Sequence, residues 1–200
     1  PFAGMPGRRL FIAAPLPAEA VATVSAIVDA VRVQPLPDGM RGVRWVRLDG
    51  LHLTLRFLGP TPDERLAATT TALVDVARRA VPIDARLAGT GVFPANGRPR
   101  TLWVGLTAGA EALAAVEREL DEALQVAGWP PDARPFRAHL TLARSDGLPA
   151  GTVVAERLAA AFCDRSIPFV VDRLALFESV TGGGPARYVP VTEAPLAAMH

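Results

Sequence analysis

The tetrapeptide His-Leu-Thr-Leu occurs twice in this chain, at 52–55 and again at 139–142. Of the three histidines in the sequence, two head these copies. Side chains of an extended strand alternate faces, so residues two apart share a face about 7 Å from one another. In the first copy Leu51, Leu53, Leu55 and Phe57 fall on one face, and His52, Thr54 and Arg56 on the other. In the second, Phe136, Ala138, Leu140 and Leu142 form the apolar set, and Arg137, His139 and Thr141 face away. Two such strands set side by side about a twofold axis would bring two imidazoles to flank two hydroxyls. Imidazoles titrate near neutral pH, so one can act as base while the other acts as acid. Hydroxyls between them can donate to the non-bridging oxygens of a phosphate. The set suits hydrolysis of a phosphodiester. Two histidines with no cluster of Asp, Glu or Cys fall short of a zinc site, so neither metal nor cofactor is expected.

A lone His-x-Thr on an amphipathic strand is ordinarily polar surface. The repeat of an identical tetrapeptide around scarce histidines is what makes the pair a candidate. The single cysteine, Cys163, allows no disulfide framework and points to a reducing compartment. Its apolar setting in "AAFCDRS" reads as a buried small hydrophobe. Net charge is +1, which excludes the strong basic field of dedicated duplex-DNA binders. All 21 basic residues are arginine, so every cationic site is a planar fork suited to phosphate. No apolar run is long enough to span a membrane and no signal peptide is visible, so a cytoplasmic location is expected.

The elements that must position the motifs follow from pattern and punctuation. "RLFIAA" reads as a strand, and 17–33 as a helix with Val24, Val28 and Val31 at helical spacing. A short extended segment, "VRWVRLDG", leads into the first motif. Residues 61–80 read as a helix capped by Thr61 and opened by Pro62. "IDARLAGTGVFP" and "RTLWVGLT" are strands, and 108–128 is an amphipathic helix closed by Gly128. The Pro-rich "WPPDARPFR" precedes the second motif. A short helix, strands within "IPFVVDRLALFESV", the hairpin loop "TGGGPA" and the return strand "RYVPVTEA" follow. Trp45, Trp103 and Trp129 read as core or cleft wall. The order is a loose duplication with halves near 1–85 and 86–200 that exchange pieces, an α+β arrangement with antiparallel sheets.

Together with "RLFIAAPLP", "TGVFPANGRPRTLWVGL" and "VDRLALFESVTGGGPARY", the two motifs resemble the 2H phosphoesterase superfamily. Within it, the chain is similar to the RNA 2′,3′-cyclic phosphodiesterases, also called 2′-5′ RNA ligases, over almost its whole length. The resemblance implies one domain over 1–200 with two pseudo-symmetric lobes. Each lobe would hold an antiparallel sheet with helices and one motif facing a central cleft. It implies opening of an RNA 2′,3′-cyclic phosphate to a 2′-phosphate, with reversible 2′-5′ ligation as a further reaction. His139 would then be the proton acceptor that activates water, and His52 the proton donor to the 3′ oxygen. Thr54 and Thr141 would hold the non-bridging oxygens. The family's arginine five residues after the second histidine is Arg144 here. Strict alternation puts Arg144 on the leucine face, so this role needs the strand to end or bulge near Ala143. Arg56 has the cleft-facing parity and Phe11 matches one of two first-strand aromatics, the other position being Ile12; both are candidate nucleotide contacts. Arg41, Arg44, Arg47, Arg134 and Arg137 could form a basic rim. The implied partner is an RNA end or a cyclic nucleotide, met by a monomer away from membranes. Two rival readings share these residues: a 2H enzyme acting on another small cyclic nucleotide or a 2′-5′ linkage, and a non-catalytic nucleotide- or RNA-binding module.

Overall fold

A computed structural model describes residues 7–147, 149–182 and 185–198. Nine strands and four α-helices follow in order: β1 Arg8–Pro15, α1 Ala18–Arg32, β2 Val43–Trp45, β3 His52–Thr61, α2 Leu66–Arg79, β4 Ile83–Phe93, β5 Thr101–Ala108, α3 Ala110–Val126, β6 His139–Ser145, α4 Pro149–Phe162, β7 Ile167–Val171, β8 Arg173–Val180 and β9 Arg187–Pro195. All strand pairings are antiparallel, in the order β7-β4-β5-β6-β3-β1-β8-β9. The fold is α+β.

The two motif strands lie at the centre of this order and share one register pair, Leu53 with Leu140. β2 pairs beside it with the far end of β6. The sheet therefore reads as two wings meeting at the motifs. One wing is β3-β1-β8-β9 and the other β6-β5-β4-β7. The second wing is drawn from one continuous stretch, Ile83 to Val171, whereas the first takes β1 and β3 from before it and β8 and β9 from after it.

Apolar stripes at helical spacing fix the helices on the sheet. Ala20, Val24, Val28 and Val31 of α1 are buried, as are Leu113, Val116, Leu120 and Leu124 of α3. α1 packs against α4 and β7, and α2 against α3, β8 and β9. Gly128 takes the left-handed conformation after α3, with φ 86°. Its N–H donates to Gln125 O and that of Trp129 to Leu124 O, a Schellman closure that turns the chain into the loop before His139. The buried Trp129 indole donates to Thr69 Oγ1 at 3.0 Å and anchors that loop.

Four expectations need correction. Thr61 does not cap α2: it ends β3, its hydroxyl donates to Gly59 O, and a 3₁₀ turn at Asp63–Arg65 precedes the helix. Cys163 is exposed, because α4 ends one residue earlier at Phe162, which takes the core position. The other two, Arg56 and Phe11, belong to the cleft and are treated below. β8 and β9 form the expected pair, though Gly183 and Gly184 of "TGGGPA" lie outside the described residues, as does His200. Among the described residues no helix is long and apolar enough to cross a membrane.

Candidate active site

The two motif strands have the same burial pattern over their first seven residues. In each, the histidine and threonine are half-buried and the leucines between them are buried. Each strand then carries a bulge at the same place. Ile12 pairs with Arg56 and Ala13 with Thr54, leaving Leu55 unpaired. Leu102 pairs with Ala143 and Trp103 with Thr141, leaving Leu142 unpaired. One extra residue reverses the parity of everything after it.

That reversal decides both arginines. Arg144 turns outward and lines the cleft, with Nη1 donating to Thr101 Oγ1 at 3.5 Å. Arg56 turns inward and is only 4% exposed. It ion-pairs with Asp121 and Asp132, and it donates to Pro130 O. The expectation that Arg56 reaches the nucleotide is therefore replaced by a structural role: it ties β3 to α3 and to the loop before His139.

His52, Thr54, His139, Thr141 and Arg144 line one cleft of about 810 Å³. The two imidazoles are tethered alike. His52 Nδ1 lies 2.7 Å from Gly50 O, and His139 Nδ1 lies 2.6 Å from Arg137 O. A carbonyl only accepts, so each Nδ1 carries the proton. Nε2 of each ring is then the nitrogen left for a substrate.

Aromatic rings surround both. His52 lies 4.9 Å from Phe11, 4.9 Å edge-on to Tyr188 and 6.0 Å from Phe177. His139 lies 5.0 Å edge-on to Phe93 and 6.1 Å from Trp103. Both imidazoles are held below their ordinary range, chiefly because burial penalises the charged ring. The carbonyl tethers oppose this in part. Arg144 depresses both rings, His139 adds to the effect on His52, and Arg137 to that on His139. A single guanidinium that both histidines feel is placed to meet an anion held between them.

Phe11 lines the same cleft but is 3% exposed. Phe177 stacks on it at 5.4 Å and Tyr188 meets it edge-on, so it supports the His52 ring and offers no open face to a base. Ile12 is fully buried. Of the rim arginines, Arg134 and Arg137 line the cleft. Arg44 and Arg47 bind Asp146 and Asp49 instead. Sequence reading did not single out Tyr188, Phe177 or Phe93 as neighbours of the histidines. Their one signal is that each lies in a strand segment ending near a turn.

The family description "2′-5′ RNA ligase superfamily" matches residues 16–183, which include both motifs. The chain belongs to this superfamily. An RNA 2′,3′-cyclic phosphodiesterase of Thermus thermophilus is 41% identical over 144 residues, covering 68% of each chain. One from Geobacillus stearothermophilus is 36% identical over 135 residues, which is 67% of this chain and 41% of that protein's length. The fold is similar to the crystal structure of TT0787 from T. thermophilus, with TM-score 0.74 and 31% identity over 96% of this chain and all of the other. It is also similar to E. coli LigT complexed with 3′-AMP, with TM-score 0.71 and 25% identity over 96% and 99% of the two chains. Superfamily membership agrees with the resemblance carried by the two motifs.

Proposed function

We propose that this chain opens RNA 2′,3′-cyclic phosphate ends to 2′-phosphates by acid–base catalysis without a metal. The observation that carries the reading is the pair of tethered imidazoles on one cleft, each with Nε2 free and both facing the charge of Arg144. The names of its relatives and the nucleotide complex of LigT support the substrate class.

In this mechanism the phosphate lies between the wings. Thr54 and Thr141 donate their hydroxyls to its non-bridging oxygens, and Arg144 balances its charge. His139 Nε2 takes a proton from water as the water oxygen bonds to phosphorus. The bond from phosphorus to the 3′ oxygen breaks, and His52 gives its Nε2 proton to that oxygen. One bond forms, one breaks, and one proton moves at each imidazole. The depressed pKa values suit the base, which must be neutral at the start. The acid must be charged at the start, and the bound phosphate anion raises its affinity for a proton. A 5′ hydroxyl in the water's place would give a 2′-5′ linkage through the same groups.

The test is a short RNA ending in a 2′,3′-cyclic phosphate, incubated with the protein in EDTA and followed by ³¹P NMR. A 2′-phosphate product is expected. A 3′-phosphate would overturn the assignment of the leaving oxygen, and activity that returns only with a divalent metal would overturn the metal-free mechanism.

A further inference from the structure

Each imidazole is tethered by the backbone carbonyl two residues before it, but the two carbonyls are held by different means. Gly50 O, which meets His52, belongs to the 3₁₀ turn Leu48–Gly50. Backbone hydrogen bonds within and beside that turn fix it: Gly50 N–H donates to Arg47 O at 3.5 Å, and Leu16 N–H to Leu51 O at 3.1 Å. Arg137 O, which meets His139, ends a loop without such support. Among the described residues no backbone-to-backbone hydrogen bond reaches 130–137. Pro130, Pro131 and Pro135 lack the N–H that could make one.

Side chains hold this loop instead. Past Trp129 the anchor is the buried Arg56. Its Nη2 donates to Pro130 O, and its Nη1 pairs with Asp121 and lies 3.9 Å from Asp132. Asp121 Oδ1 in turn accepts from Asp132 N–H at 3.2 Å, and Asp132 Oδ1 accepts from Arg134 N–H at 3.1 Å. At the far end the Arg137 guanidinium lies over the rings of Phe93 and Trp103, 5.3 Å and 6.0 Å from their centres. The first half of the loop before His139 is thus fixed from β3, a strand of the other wing. The bulge at Leu55 is what turns Arg56 toward it.

We propose that Arg56 is a positioning residue for the second motif: by holding Pro130 and Asp132 it sets the loop that presents Arg137 O to His139, and so keeps that ring's proton on Nδ1. This rests on the reading of His139 as the base, which needs Nε2 without a proton at the start of the reaction. With the carbonyl displaced, the neutral ring is free to carry its proton on Nε2, the tautomer whose Nε2 takes no proton from water. The prolines transmit the displacement, since their fixed φ leaves the loop few ways to absorb it. His52 is unaffected, because its carbonyl stands in a turn that the bonds of Arg56 do not reach. The first motif strand thus carries one imidazole and steadies the other.

The test is ¹⁵N NMR of the imidazoles in the full chain, at a pH where both rings are neutral, which reads the tautomer of each, alongside turnover of an RNA cyclic phosphate. In the wild type both rings are expected as Nδ1–H. Arg56→Met should move His139 to a mixture of tautomers, leave His52 as it was, and lower kcat by about 10–100-fold. Arg56→Lys, which keeps the charge and loses the planar fork, should fall between the two. A His139 ring that stays Nδ1–H in Arg56→Met would overturn the proposal. So would an equal change in both rings, the mark of a general loosening of the fold. Should Arg56→Met not fold, Asp121→Ala removes the acceptor that Arg56 shares with Asp132 N–H, and an unchanged His139 ring in that variant would equally overturn the proposal. A tautomer change confined to His139, in a chain whose wild type opens no cyclic phosphate, would uphold the positioning and refute the proposed reaction.

Discussion

His52 is surrounded by Phe11, Phe177 and Tyr188, and His139 by Phe93 and Trp103. The backbones beneath them correspond residue by residue. Where the His52 wing has Ala13 opposite the motif threonine, the His139 wing has Trp103. Where one has Ala175 in the next strand, the other has Gly91. A Cβ on Gly91 would lie 2.2 Å from the Trp103 ring, so the glycine is what makes room for the tryptophan. Beyond the bulge, Arg56 and Phe57 stand where Ala143 and Arg144 stand. Tethers, bulges and burial pattern are thus duplicated, while the side chains that set charge and shape are not. A symmetric scaffold can hold two imidazoles alike, but an unsymmetric substrate needs unlike neighbours around them.

The largest break in this comparison comes from the histidines. His52→Ala and His139→Ala should each lower turnover by roughly 10²–10⁴-fold, with the circular dichroism spectrum unchanged. A substrate with sulfur in place of the 3′ bridging oxygen needs no proton on leaving. It should restore His52→Ala and not His139→Ala; the opposite pattern would exchange the two roles. Arg144→Gln should lower kcat/KM by about 10–100-fold, the loss of a charged hydrogen-bonding partner. It should also raise both imidazole pKa values toward their ordinary range, since Arg144 depresses both. Proton NMR titration of the two rings measures this, and a shift at only one ring would mean that Arg144 serves one wing.

Gly91→Ala should lower stability by about 1–3 kcal/mol through overpacking, and Trp103→Leu in the same chain should relieve it. Denaturant unfolding of the single and double variants reads the coupling. The smallest effect concerns pH. Both histidines bind protons more weakly in the folded chain, so the unfolded chain holds more protons below about 6.5. Stability is therefore full above that pH and falls as pH drops through the depressed folded values. His52→Asn and His139→Asn should each flatten this slope in unfolding experiments between pH 7 and 5.

The residues of the motifs and the alternation around Leu53 and Leu140 were legible because a half-buried strand writes its two faces into the sequence. The bulges at Leu55 and Leu142 were not, because an unpaired residue depends on the length of the neighbouring strand and not on its own type. In the second copy the need for Arg144 to face out asked only that the strand end or bulge near Ala143. In the first nothing does, and strict alternation places Arg56 on the cleft face. Thr61 and Pro62 carry every mark of a helix start, yet the hydroxyl finds its partner in the strand behind it. Tyr188 reaches His52 from β9, a pairing across the whole chain that no local pattern records.

The wing around His139 comes from one unbroken stretch, and the wing around His52 is interrupted by it. Synthesis proceeds from the N-terminus, so the two wings are completed in the reverse of the order in which they are begun. β1 and β3 emerge first but keep the far edge of β1 open until β8 arrives, after all four strands of the other wing. An open strand edge invites mispairing. A nascent chain paused after β7 would hold one finished motif wing and one unfinished one, with Phe11 still lacking the Phe177 ring that covers it.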